Sequence, residues 1–138
     1  VLSSPYKIPL PDGYADVIVS GQAFEHIEYF WLTWMEMVRV LKPMGQIFLL
    51  APSRGHEHGY PVDCWRYYPD GYKALAAYGR VSLIEVSTDW EPHPDSGSAE
   101  WGDTVGVFRK PIHDWFGIIK EKFRARLHHY IAPKPYKN

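Results

Sequence analysis

At 138 residues and a formal net charge of −1, the chain is one domain's worth of polypeptide and carries no basic field that would hold nucleic acid. Its single cysteine, Cys64, excludes an internal disulfide and a Cys-rich zinc centre and fits a reducing compartment. No apolar run reaches membrane-spanning length and no basic-then-apolar leader opens the chain, so a soluble, cytoplasmic protein with no membrane and no nucleic-acid partner is expected.

In chain order, Pro9, Pro11 and Gly13 enforce a turn before Ala15 to Ser20, whose Val17, Ile18 and Val19 are apolar on both faces and predict a buried, parallel-type strand. From Glu25 the period changes. Ile27, Trp31, Trp34, Val38 and Leu41 recur at three and four, one stripe of an amphipathic helix stopped by Lys42, Pro43 and Gly45. "QIFLLA" (46–51) is the next buried strand, which completes a right-handed βαβ unit. Residues 52–69 have no period and crowd Pro, Gly, His, Arg and aromatics into a functional-looking loop. A short helix runs from Pro69 through Ala74, Leu75 and Tyr78 to Gly79. "VSLIEVSTDW" and "TVGVFRK" then read as an antiparallel strand pair around a turn-rich connection. Residues 112–138 form a C-terminal amphipathic helix and tail, with Phe116, Ile119, Phe123 and Leu127 at helical spacing. The basic side of that helix reads as an ordinary solvated face.

Three segments in order, "LPDGYADVIVSGQAFEHI", "MVRVLKPMGQIFLLAPS" and "YPVDCWRYYPDGYKAL", resemble the second half of class I S-adenosylmethionine-dependent methyltransferases, especially the type 11 branch. The resemblance implies an α/β fold: an incomplete Rossmann-like methyltransferase sheet, with a parallel βαβ unit, an antiparallel C-terminal strand pair and a C-terminal helix, all within one partial domain over 1–138. The family's glycine-rich turn between a first strand and helix is not found in the sequence. The resemblance therefore implies that this polypeptide is the C-terminal part of a methyltransferase. The parent would use S-adenosylmethionine and act on a small polar or sugar-linked acceptor, while this chain alone would bind no cofactor and be inactive. The alternative is a non-catalytic half-domain that associates with itself or with a partner.

Ser20, Gly21 and Gln22 fall at the carboxyl end of a strand, where open α/β sheets bind ligands, and by resemblance they flank the cofactor's methionine part. Ser4 and Tyr6 match the stretch near the adenine, although Ser4 stands where the family commonly has an acidic residue. Arg54, His56, His58, Asp63, Trp65 and Arg66 follow the next strand's carboxyl end and are the candidate acceptor site. His56, His58 and Asp63 are the catalytic candidates, a His serving as general base during in-line methyl transfer. Against this stands a plain reading in which Trp65, Tyr67 and Tyr68 clamp the loop and the His residues are solvated. "HEH" with Asp63 offers metal-ligand types, but two His at i and i+2 without a further fixed ligand define no site, so no metal is expected. Glu25 and His26 read as a helix-start carboxylate beside a packed His, and Cys64 as a small buried residue. With its first strand as an edge, the chain is expected to form a homodimer through that edge and the long helix.

Overall fold

The computed structural model describes residues 4–91, 93, 94 and 100–112, and beyond them 117, 119, 120, 123, 126, 127 and 130. Its elements are β1 (Ala15–Gly21), a 3-10 turn (Phe24–His26), α1 (Phe30–Val40), β2 (Leu41–Arg54), α2 (Pro69–Gly79), β3 (Ser82–Thr88) and β4 (Gly102–Arg109). The sheet order is β1-β2-β4-β3, with β1 parallel to β2 and the other two pairs antiparallel. This is the parallel βαβ unit and antiparallel terminal pair that the apolar runs predict, an incomplete Rossmann-like sheet. The described residues among 117–130 are helical, with Ile119, Phe123 and Leu127 exposed, whereas Phe116 lies outside the described residues. No helix among the described residues is long and apolar enough to cross a membrane.

The long helix starts later than its period suggests. The 3-10 turn takes Glu25 and His26, and α1 begins at Phe30. At the other end Lys110 caps α1: its buried Nζ donates to the carbonyls of Val38 (2.8 Å) and Leu41 (3.0 Å), a cation on the negative end of the helix dipole. The turn-forming Lys42 to Gly45 becomes a register shift within β2, because Ala15 pairs with Leu41 and Val17 with Gln46. Gly79 does not end α2 as a cap. Arg80 takes the left-handed position at φ 57°, while Gly79 makes room for the Trp34 ring.

Both helices pack on one face of the sheet. Trp34 is fully buried against Phe108 (ring centroids 4.7 Å), donates Nε1–H to the Leu75 carbonyl at 2.9 Å, and so joins α1, α2 and β4 in one core with Ile47, Leu49, Ala51 and Tyr72. The opposite face is open among the described residues: Val17, Val19, Phe48 and Val105 lie in neighbouring rows and are all exposed, Val19 at 76%. The expectation of a strand buried on both sides is therefore met on only one side. The described residues before β1 do not pair with its edge. They lie along α1, where Arg39 binds the carbonyls of Ile8 and Leu10 and the Asp12 carboxylate, and Thr33 binds the Pro5 carbonyl.

Candidate functional site

The carboxyl ends of β1 and β2 form a rim with the start of β4. After Gly21, Gln22 adopts a left-handed φ of 48°, its N–H donates to the Leu50 carbonyl, and its Nε2 donates to Asp103 Oδ1 at 2.9 Å. Ser20 is half-buried and Gly21 exposed there, so this cofactor-candidate trio stands at the strand end that its position predicts. Asp103 was not singled out from sequence. Only the β2–β4 register, which sets Asp103 opposite Pro52, brings it to the rim. Ser4 and Tyr6 are engaged beside α1 instead: Ser4 Oγ accepts the Tyr6 N–H, and the Tyr6 hydroxyl donates to Glu28 at 3.0 Å. Burial, then that bond and the Glu28 charge, push the phenol well above its ordinary value, so Tyr6 stays protonated.

The loop after β2 is clamped to the body by its own residues. Arg54 does not reach outward; its guanidinium donates to the carbonyls of Trp90, Glu91 and Trp101 and holds the β3–β4 connection against the loop. His56 lies exposed against Trp101, 3.4 Å from the Glu100 carboxylate. Asp63 is the loop's organiser. Its carboxylate accepts from Arg66 and from the His58 backbone N–H (2.9 Å), and the Arg66 bonds, partly opposed by burial, hold its carboxyl well below the usual range. Arg66 also donates to the His56 carbonyl. The His58 ring sits 3.2 Å from the same carboxylate, so Asp63 orients His58 rather than facing a ligand.

Tyr67 is buried with its hydroxyl donating to the Phe24 carbonyl, and burial raises its phenol far above the ordinary value. Trp65 donates from Nε1 to the carbonyls of Ile27 and Glu28 and packs on Phe30 and Trp31, yet 37% of it stays exposed. Cys64 is exposed, which corrects the expectation of a buried residue: its backbone N–H bonds the Glu25 carbonyl and its side chain is left outward. Desolvation first, then the Glu28 and Asp63 charges, push its thiol up, which disfavours the thiolate.

The six acceptor candidates thus divide. Trp65 and Arg66 line a groove of about 850 Å³ with Phe30, Trp31, Tyr68 and Asp70, between the start of α1, the loop and α2. Arg54 is a clamp, and His58 with Asp63 faces the 3-10 turn, where the His26 ring lies 5.0 Å from that of His58. Phe30, Trp31 and Asp70 are lining residues that sequence reasoning had placed only in helices. Their helical spacing marks a packed face but not a groove beside it.

The methyltransferase-domain family model matches residues 1–49. An uncharacterized methyltransferase of Mycobacterium bovis (strain BCG / Pasteur 1173P2) is 35% identical over 85 residues, 58% of this chain and 32% of that protein. Another, from Mycobacterium sp. (strain JLS), is 35% identical over 116 residues, 78% of this chain and 44% of that protein. The chain thus spans 32% and 44% of the length of these two curated relatives. The crystal structure of a SAM-dependent methyltransferase from Methanosarcina mazei superposes with a TM-score of 0.63 over 80% of this chain and 66% of that one; at 11% identity the likeness is one of fold. Matching sequence over residues 1–49, joined to this sheet order, is what the opening motifs imply: the chain is similar to class I methyltransferases in sequence and shares their fold.

Proposed function

We propose that this chain supplies the acceptor side of an S-adenosylmethionine-dependent methyltransferase that acts in the cytoplasm on a small polar or sugar-linked molecule. The observation that carries the reading is the aromatic groove beside the loop after β2, a concave surface with a few polar groups at its margin. Trp31, Trp65 and Tyr68 offer flat faces to the C–H surface of a sugar, while Arg66 and Asp70 meet its hydroxyls. That lining favours a sugar-linked acceptor over a compact polar one. Ser20, Gly21 and Gln22 then flank the cofactor, and His56 accepts the acceptor's proton as the methyl group transfers.

Without a glycine-rich turn to admit the cofactor's backbone approach, the chain alone is expected to hold S-adenosylmethionine no better than millimolar. Two measurements test the reading. Calorimetric titration of the chain with S-adenosylmethionine should show no saturation at micromolar concentration, and micromolar binding would overturn this division of roles. A protein of the relatives' length that contains this segment should methylate sugar-linked acceptors, with Trp65→Ala raising the acceptor KM at least several-fold. Transfer to macromolecules alone would sink the small-acceptor reading.

A second reading, a self-associating module, is favoured by the open sheet face around Val17 and Val19. A second copy packed on that face, with its own β1 beside this edge, would bury it in a homodimer. Trp34 is fully buried in the core, so the long helix would contribute to that contact through residues other than Trp34.

A further inference from the structure

Away from the acceptor groove, the 3-10 turn and the loop after β2 bring three metal-ligating side chains together. We propose that Glu25, His26 and His58 bind a borderline divalent metal ion of the zinc kind, with at least one coordination position left open. The inference stands whether or not the chain takes a methyl acceptor.

Glu25 carries the argument. Its side chain is wholly buried, and neither carboxylate oxygen has a hydrogen-bond partner. A carboxylate in that condition is expensive unless it is neutralised or meets a cation. The two groups that face it are imidazoles whose tautomers are set from behind. His26 Nδ1 lies 2.6 Å from the Val62 carbonyl, which can only accept, so Nδ1 carries the hydrogen and the lone pair sits on Nε2, 3.5 Å from Glu25 Oε1. His58 Nδ1 lies 3.2 Å from the Asp63 carboxylate and 3.3 Å from the His56 carbonyl, again two acceptors, which leaves its Nε2 as the ligand atom. A carbonyl behind one imidazole and a carboxylate behind the other is the arrangement that orients histidine ligands around metals.

The ligand atoms of the three residues all lie within 4.8 Å of one another. Tetrahedral zinc with bonds near 2.0–2.1 Å needs donors about 3.3 Å apart, so small side-chain rotations close the site. Two imidazoles with one carboxylate suit zinc, iron or cobalt better than magnesium or calcium, which prefer all-oxygen ligands. The ion would tie the 3-10 turn to the loop, just beyond the rim at Gln22. The sequence pattern "HEH" misses the site, because Glu57 and His56 take no part and two ligands come from another element.

The test uses the full chain, stripped with a chelator and titrated with Co²⁺, which reports tetrahedral nitrogen and oxygen ligands through visible d–d bands. One equivalent should develop the bands, one equivalent of Zn²⁺ should abolish them, and Mg²⁺ in excess should not. His58→Gln and His26→Gln should each weaken Co²⁺ binding at least about tenfold, and His93→Ala should leave it unchanged. Since Glu25→Gln acts in the core, its folding is checked by circular dichroism, and the two His variants decide the matter without it. Absence of d–d bands at millimolar Co²⁺, or bands that persist in both His variants, would overturn the proposal.

Discussion

Gly55 is the residue at which one methyl group should do most harm. Its φ of +119° is a glycine conformation, and a Cβ there would run into the Trp101 ring, which the loop holds with His56 and His58. Gly55→Ala is expected to cost about 2–4 kcal/mol in urea unfolding, backbone strain and overpacking combined. Arg66→Ala leaves the Asp63 carboxylate, whose side chain is 2% exposed, without its guanidinium. Because Arg66 itself is partly solvated, the loss lies below that of a fully buried pair, about 2 kcal/mol by the same measurement. Trp65→Ala removes contacts with Phe30 and Trp31 and two shared carbonyl bonds from a ring already more than a third exposed. It should cost about 1–2 kcal/mol, less than the 3 kcal/mol or more of a buried Trp. A loss under about 0.5 kcal/mol would show that the ring does not anchor the loop.

At the scale of elements, α1 is held from both sides and β1 from one. Trp34 spans α1, α2 and β4, and Trp34→Phe, which keeps the ring packing against Phe108 but drops the bond to Leu75, should cost about 1 kcal/mol. β1 has a neighbour only at β2 among the described residues, and its outward Val17 and Val19 stand on a strand with no Pro or Lys inside it. Val19→Lys should therefore reduce association while changing monomer stability by no more than about 0.5 kcal/mol. Sedimentation of the two proteins side by side reads the first effect, urea unfolding the second.

For the whole molecule, the layering among the described residues is unequal: α1 and α2 cover one face of the sheet, and the other face shows Val17, Val19, Phe48 and Val105 to solvent. Parallel strands normally have both faces covered. A homodimer through β1 should bury well over about 1,000 Å² in total, and light scattering at micromolar concentration should give twice the 16.0 kDa of the chain. A stable monomer would remove the self-associating reading and leave the open face without a second copy as its cover.

Much of this architecture was legible in the residues, because strand and helix periods are local and the strands "DVIVS" and "QIFLLA" are apolar enough to declare themselves. The parallel pair, the antiparallel pair and the place of Ser20 to Gln22 at a strand end follow from that order alone. Where α1 begins was not legible, since Ile27 keeps the helical spacing although the chain makes a 3-10 turn first. Nor was the division of the acceptor candidates. Arg54, His58 and Arg66 belong to similar stretches of sequence, but what each does depends on the Trp90 and Trp101 carbonyls, the Asp63 carboxylate and the groove wall, groups brought near by the β2–β4 register and the fold of the loop. Glu25 and His58 are thirty-three positions apart, and their meeting is a long-range contact that no local period encodes. Sequence by itself determined which segments become strands and helices and which family they resemble; tertiary structure alone decided which polar groups face one another, because register and packing act between segments that are distant in the chain.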